Sequence, residues 1–199
     1  MLLKKKPING VFIIESLSLD DENNEQFEGE ILKRILKLVE IPVEYRYIRT
    51  KEELQVMIKQ FEKLKYKYLH LSCHGNSSGI AMTLDELSFP FEKFKNMFRS
   101  SNLKKRLFLS SCSVVGGEDI KIGMHGSDFI SIVGPKRDID FSDAAIFWAA
   151  FYQQMFKYES DVFENDDIFE IVKKLSSVLD VDMACLVRNK ESKIYYEKS

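Results

Sequence analysis

The sequence has no long apolar run, and this bears on where the protein resides. The longest run, residues 144–151, falls well short of the roughly 20 apolar residues that a membrane-spanning helix needs. The first six residues include three consecutive lysines but lack the apolar core and cleavage site of a signal peptide. We therefore expect a cytoplasmic protein that does not contact a membrane.

Cysteine is scarce, and the charges nearly balance. Three cysteines, an odd number without regular spacing, argue against a disulfide framework and suit a reducing compartment. A formal net charge of -2 over 199 residues creates no field that favours nucleic acid, so we expect no direct binding to it. Repeats, low-complexity tracts and linkers are lacking, so residues 1–199 are expected to form a single domain.

Short apolar runs alternate along the chain with stretches of helical periodicity. Such alternation predicts an α/β fold with a mostly parallel sheet flanked by helices on both faces. Thr50 and Glu53 form a capping box at the start of one predicted helix. The predicted strands are residues 10–15, 43–48, 68–72, 106–111 and 129–133, and the predicted helices are residues 25–39, 50–61, 90–98, 144–156 and 168–175.

Three other segments complete the chain. Residues 79–89 suggest a small hairpin or an extended insert, and residues 113–127 are a Gly-rich stretch that is typical of a surface loop. Two short runs, residues 181–187 and 193–196, predict a hairpin at the C-terminus.

Two predicted strands lead to side chains suited to nucleophilic catalysis. Strand 68–72 is followed by His74 and Gly75, and strand 106–111 leads to Cys112. In a parallel sheet, ligands bind outside the carboxyl ends of the strands, where neighbouring strands lie about 4.8 Å apart. A free thiol, with a pKa of about 8.5, is mostly protonated at neutral pH, and His74 is the base placed to activate it. Backbone N–H groups of Gly75 and Cys112 could form an oxyanion hole.

The other histidines and cysteines fit structural roles better. A zinc site at His70, Cys73 and His74 is disfavoured, because side chains alternate along a strand and the two histidines would be roughly 13 Å apart. We expect Cys73 and Cys185 in the core and His70 in the core or supporting the site, while His125 has no assigned role. The sequence implies neither a metal nor another cofactor.

The residues around His74 and Cys112 resemble a known family. His70-Leu-Ser-Cys-His74-Gly75, followed after a predicted helix by Leu-Ser-Ser-Cys112, is similar to the caspase-like cysteine peptidases. The resemblance is greatest to the bacterial CHAT domain family, whose pattern is roughly His-x-x-x-His-Gly and then x-Ser-Ala-Cys. It implies a caspase-like, doubly wound fold and a cysteine endopeptidase in which Cys112 attacks a peptide carbonyl and His74 is the general base.

Weaker support and two departures come with this resemblance. CHAT domains commonly continue with a Gly, an acidic residue, small residues and a Phe-Tyr pair, and residues 134–152 show a similar series. Ser111 stands where the family usually has Ala. Lys136 or Arg137 stands where many members have Trp, which bears on the substrate pocket more than on the dyad.

The resemblance also implies partners. CHAT domains are often joined to repeat or sensor domains that control them, and this sequence shows none. A separate regulatory protein is therefore expected, in a bacterial defence pathway such as antiviral defence or in a stress pathway, with residues 113–127 as the segment that it orders.

Several caspase-like relatives cleave after basic residues and hold that side chain with carboxylates. Asp138 and Asp140 follow strand 129–133 and are the candidate substrate-binding residues, although Asp140 or Asp143 could instead cap the next helix. Two other functions stay open: an inactive caspase-like binding or assembly module, and a doubly wound domain for a small ligand. The last lacks a Gly-rich phosphate fingerprint after the first strand.

Overall fold

In the part of the chain that the structure describes, the central sheet has nine strands and is mostly parallel. The computed structural model describes residues 7–85, 89–99, 103–157 and 164–198. The lysine run in residues 4–6 and residues 86–88 of the predicted insert lie outside these ranges. The strands are β1 (Ile8–Ser16), β2 (Val43–Tyr47), β3 (Tyr66–Asn76), β4 (Gly79–Ala81), β5 (Phe89–Pro90), β6 (Lys105–Ser110), β7 (Phe129–Pro135), β8 (Met183–Arg188) and β9 (Tyr195–Glu197).

Strand order explains where the two candidate residues meet. The order is β2-β1-β3-β6-β7-β8-β9, with the first five strands parallel and β8 and β9 antiparallel at one edge. Strands β4 and β5 form a small antiparallel extension of β3. The predicted C-terminal hairpin is confirmed, and β3 and β6 are direct neighbours.

Helices cover both faces of the sheet. They are α1 (Leu19–Asn23), α2 (Glu28–Leu38), α3 (Lys51–Leu64), α4 (Phe91–Lys95), α5 (Asp119–Gly123), α6 (Phe141–Phe156) and α7 (Asn165–Leu179). Helices α3, α4 and α5 contribute to the core on one face, and α2, α6 and α7 to the core on the other. Within the described ranges, no helix has both the length and the apolar character needed to cross a bilayer.

Alternation along the strands decides which side chains reach which core. In β1, Phe12 and Ile14 join the core beneath α3, whereas Val11 and Ile13 join the core beneath α2 and α6. The same alternation in β3 sends Leu71 and Cys73 to the α3 side. His70 and His74, which differ from them by odd steps, therefore share the α2 and α6 face.

A buried polar network crosses that second face. The His70 ring is fully buried; its Nε2 is hydrogen-bonded to Glu28 Oε1 at 3.2 Å, and its Nδ1 is hydrogen-bonded to the Tyr152 hydroxyl at 2.8 Å. Ser110 donates its hydroxyl proton to the other oxygen of Glu28 at 2.7 Å. Because an unpaired polar group is costly to bury, this network fixes α2 and α6 relative to β3 and β6.

A second buried carboxylate lies at the start of α2. Glu15, at the end of β1, accepts the backbone N–H of Gly29 and the Tyr45 hydroxyl, both at 2.7 Å. Burial raises the pKa of Glu15 to about 7, although the two hydrogen bonds oppose the rise. A Cβ at Gly29 would lie 3.2 Å from the Glu15 carboxyl carbon, so glycine permits this close approach.

Three predicted segments differ from the structure. The helix expected at residues 25–39 begins only at Glu28, because Glu25 has a left-handed φ of 56° and separates it from α1. Residues 113–127 contain the short helix α5 and are not wholly a loop. Helix α6 begins at Phe141, three residues earlier than expected, so Asp140 is its N-cap residue and Asp143 lies in its first turn. The capping box of Thr50 and Glu53, by contrast, is present as predicted.

We expect Glu28→Ala to lower the free energy of unfolding by about 3 kcal/mol, because His70 and Ser110 would lose a buried partner. Glu30→Ala, two residues further along α2, is the matched control. Glu30 is half-exposed and pairs with Arg34 at 2.8 Å, so its loss should cost under about 0.5 kcal/mol. Urea denaturation followed by circular dichroism measures both, and equal costs would contradict the importance of the network.

Candidate active site

His74 and Cys112 lie at the carboxyl ends of two adjacent parallel strands. The β3–β6 ladder ends with Ser72 opposite Ser110, and each candidate follows two residues later. Both side chains line one small cavity of about 40 Å³, into which Glu28 also projects. The structure thus places the predicted base and nucleophile beside the same cavity at the carboxyl rim of the sheet.

The His74 ring is held by a carboxylate that sequence reasoning did not single out. Its Nε2 lies 2.5 Å from Asp21 Oδ2, and the ring meets Phe141 edge-on at 6.2 Å between centroids. Ser18 and Asp21 form the capping box of α1, which fixes the position of the carboxylate. Partial burial works against the charged form of Asp21, but hydrogen bonds from Ser18 and His74 outweigh it and lower the pKa of Asp21 below its usual value.

The three cysteines have different surroundings. Cys73 and Cys185 are buried, and burial raises the pKa of each thiol to about 12. Cys112 is only partly buried, and its thiol donates to the carbonyl oxygen of Ile139 at 3.7 Å. Cys112 is therefore the cysteine that solvent and a substrate can reach.

Gly75 occupies a position that excludes any side chain. A Cβ there would lie 2.3 Å from Ser111 Oγ and 2.8 Å from the Gly79 carbonyl oxygen. Gly75 pairs with Ile80 in the β3–β4 hairpin, and it borders a groove that also reaches Cys112. Glycine is thus needed for β3 to pass between Ser111, which follows β6, and Gly79 of β4.

This groove beside Cys112 is rich in carboxylates and is called the acidic groove here. It has a volume of about 840 Å³. Of the described residues, Arg137 is the one cationic side chain that borders it, and its Nε donates to Asp182 at 2.7 Å. The lining carboxylates are Asp138, Asp140, Asp143, Asp180 and Asp182.

The two aspartates predicted to bind substrate both line the acidic groove. Asp138 is exposed and accepts a hydrogen bond from the Ser113 hydroxyl at 2.7 Å. Asp140 is the N-cap residue of α6, but its side chain makes no capping hydrogen bond. The competing role of Asp140 in capping therefore does not occupy its carboxylate.

His70 and His125 have structural partners. His70 belongs to the buried network with Glu28 and Tyr152, whereas His125 donates from Nε2 to the Ser192 carbonyl oxygen at 3.2 Å. Among the described residues, no group of three or more His, Cys, Asp or Glu side chains is arranged to hold a metal ion.

The segment after Cys112 is held against the end of β7. The backbone N–H of Ser113 donates to the Arg137 carbonyl oxygen at 3.2 Å, and that of Val115 to the Pro135 carbonyl oxygen at 3.1 Å. Ser113 has a left-handed φ of 56°, a conformation that only surrounding contacts maintain in a residue other than glycine. These bonds place the Cys112 loop beside the acidic groove.

Two parts of the site were missed from the sequence. The Ser-x-x-Asp pattern at residues 18–21 was a usable signal for Asp21, since a capping box after β1 places its carboxylate at the carboxyl rim. Asp180 and Asp182 gave no such signal, because they follow α7 and reach the groove only through the antiparallel return of β8.

Comparison with known proteins identifies the fold. No family model matches the chain, and a search of curated proteins finds no match. Among solved structures, the chain is similar to a secreted C11 cysteine protease from Bacteroides thetaiotaomicron, "iotapain", with a TM-score of 0.54 and 11% sequence identity. The similarity covers 92% of this chain and 67% of that one. The chain therefore has a caspase-like α/β fold, in which a mostly parallel sheet is flanked by helices on both faces, as predicted.

Proposed function

We propose that this chain is a caspase-like cysteine endopeptidase of the CHAT type. The observation that carries the proposal is the shared cavity of His74 and Cys112 at the carboxyl ends of β3 and β6. The fold similarity to a cysteine protease and the resemblance of the two motifs point in the same direction. None of these observations alone specifies a reaction, so the proposal depends on their combination.

The contacts of His74 suggest how the dyad would work. Because Nε2 faces Asp21, Nδ1 is the nitrogen left to take the Cys112 proton. The thiolate then attacks the peptide carbonyl, and backbone N–H groups of Gly75 and Cys112 would stabilise the oxyanion. His74 returns the proton to the leaving amine as the C–N bond breaks, which leaves a thioester. Water, deprotonated by His74, then cleaves the thioester and restores the thiol.

Three steps precede this chemistry in the proposed cycle. The Cys112 thiol must release the Ile139 carbonyl to which it donates and turn toward His74. A substrate strand must enter the groove between Gly75 and residues 137–140. Its scissile carbonyl must then come within hydrogen-bond distance of the oxyanion donors.

The acidic groove supports a preference for Lys or Arg immediately before the cut. Asp138 and Asp140 would hold the basic side chain, with Asp143 and Asp180 adding negative potential. Arg137 is already paired with Asp182 and so offsets little of this charge. Carboxylates pair strongly with basic side chains where water is partly excluded, as in a groove of this kind.

We also propose that a separate protein controls the enzyme in the cytoplasm of a bacterium, in a defence or stress pathway. This rests on the CHAT resemblance and on the segment after Cys112, which would have to rearrange when a substrate binds. The partner would act by replacing the bonds that tie Ser113 and Val115 to β7. Equal peptide turnover by the free chain and by its complex with the native partner would rule out this control.

The primary test of function is hydrolysis of a peptide library, together with labelling by a thiol-reactive peptide. We expect Cys112→Ala and His74→Ala to lower turnover at least about 10³-fold, since each removes one half of the dyad. Cys185→Ala, remote from the cavity, should keep turnover within about twofold and lose stability only through a small cavity. Turnover that survives Cys112→Ala would disprove the nucleophile. Absence of both turnover and labelling, even with the native partner bound, would favour a binding or assembly module.

Asp21→Asn should lower kcat/KM by about 10- to 100-fold, because the amide can hold the ring but cannot stabilise its protonated form. KM should change little, since Asp21 does not line the acidic groove. Asp20→Asn, the neighbouring exposed residue on α1, is the matched control and should leave kcat unchanged. An Asp21 variant with normal kcat would remove this carboxylate from the mechanism.

A series of peptides that vary only the residue before the cut tests the acidic groove. We expect Arg and Lys peptides to be preferred, and Asp138→Asn with Asp140→Asn to lower kcat/KM for them by about tenfold or more. A Leu peptide should be affected far less. Asp166→Asn, an exposed position on α7, controls for the loss of one charge. A preference for an acidic or apolar residue before the cut would refute the basic specificity.

A further inference from the structure

A second large concavity lies at the opposite end of the sheet from the candidate active site. It has a volume of about 620 Å³. Its lining comes from the residues just before β1 and β3, the start of β6, the last turns of α3 and the segment after α4. The residues of this basic concavity are Pro7, Lys59, Glu62, Lys63, Lys65, Arg99, Leu103 and Lys105.

The concavity gathers positive charge in a chain whose formal net charge is -2. Among the described residues that line it, five cationic side chains face one carboxylate, that of Glu62. Glu62 is already engaged, because it accepts the Arg99 backbone N–H at 2.9 Å and the Lys105 ammonium at 3.2 Å. With its carboxylate shared in this way, most of the cationic charge is not offset inside the concavity.

The helix dipole explains only part of this clustering. Lys63 and Lys65 lie at the C-terminal end of α3, where cations are favoured. Arg99 and Lys105 belong to other segments, so the dipole of α3 does not account for them. The Lys105 side chain is only 3% exposed, and its ammonium lies 5.7 Å from the Phe61 ring centre. Glu62 is the carboxylate that keeps this nearly buried ammonium paired, and it leaves little negative charge for the other cations of the concavity.

Three of the cations have no carboxylate partner among the residues that the structure describes. Within the described ranges, no carboxylate pairs with the side chains of Lys59, Lys63 or Arg99. Lysines contact phosphates as point charges, and an arginine can hold two phosphate oxygens at once. Pro7 and Leu103 add apolar surface beside these charged groups, as do the lysine stems.

We propose that the basic concavity binds a nucleotide. Its phosphates would lie on Lys59, Lys63 and Arg99, and its base would contact Leu103 and Pro7. The volume is within the usual range for small-molecule sites. The cations suit the phosphates of a nucleotide, and the apolar surface suits its base. This site is remote from Cys112 and does not depend on the proposed peptidase activity.

Isothermal titration calorimetry on the full chain tests the proposal, with ATP, tripolyphosphate and adenosine as probes. We expect ATP and tripolyphosphate to bind and adenosine not to, with ATP about threefold or more the tighter because its base is also buried. Lys63→Ala with Arg99→Ala should weaken ATP binding at least about tenfold. The matched control, Lys37→Ala with Lys174→Ala, removes two exposed cations from α2 and α7 and should leave affinity unchanged.

Three outcomes would overturn the proposal. They are no ATP binding at millimolar concentration by a chain that unfolds cooperatively, equal affinity for ATP and tripolyphosphate, and equal weakening in the control double variant. The last would mean that ATP responds to overall charge alone. The same titrations on Cys112→Ala should give unchanged affinity, so this result stands or fails separately from the peptidase hypothesis.

Discussion

The paired burial of His70 and Glu28 is the constraint on which the rest of the active-site face depends. A carboxylate and an imidazole in an apolar core require each other, because either one alone would be an unpaired polar group out of contact with water. The hydrogen bond between Glu28 and His70 holds the first turn of α2 against β3, and the one between Tyr152 and His70 holds α6 against the same strand. The hydrogen bond from Ser110 to Glu28 links β6 to α2. The cavity that holds His74 and Cys112 is bounded by these same elements.

Asp21 follows from this arrangement. Helix α1 is one short turn between β1 and α2, and the buried Glu15 fixes the start of α2 through Gly29. With both ends anchored, α1 has little freedom to move its capping carboxylate, and that carboxylate meets the His74 ring. Asp21 thereby orients the ring of His74 at the surface. The position of Asp21 depends in turn on the buried carboxylates of Glu15 and Glu28.

The sequence predicted those features that are governed by local periodicity. The apolar run at residues 10–15 predicted β1, and the capping box at Thr50 predicted the start of α3. Both patterns are local, because burial on both faces of a sheet and capping of a helix each depend on the types of a few consecutive residues. Strand ends then indicated where His74 and Cys112 would meet. The pairing of Glu28 with His70 spans more than forty positions and leaves no spacing to recognise. Helix α5 was not predicted, because the glycines around it are typical of a loop.

Strand pairing also sets when the active site can form during folding. The strands that lead to His74 and Cys112 pair with partners distant in the chain. Strand β3 lies between β1 and β6, while β2 lies at the edge beyond β1. Tyr68 of β3 pairs with Arg106 of β6. No tight hairpin within this part of the sheet can nucleate these contacts, so loop closure must precede any gain from pairing. On a ribosome, the thiol therefore emerges long after β1, and it joins the histidine only once β6 docks. Until then, the segments that precede Cys112 contain the histidine without its nucleophile.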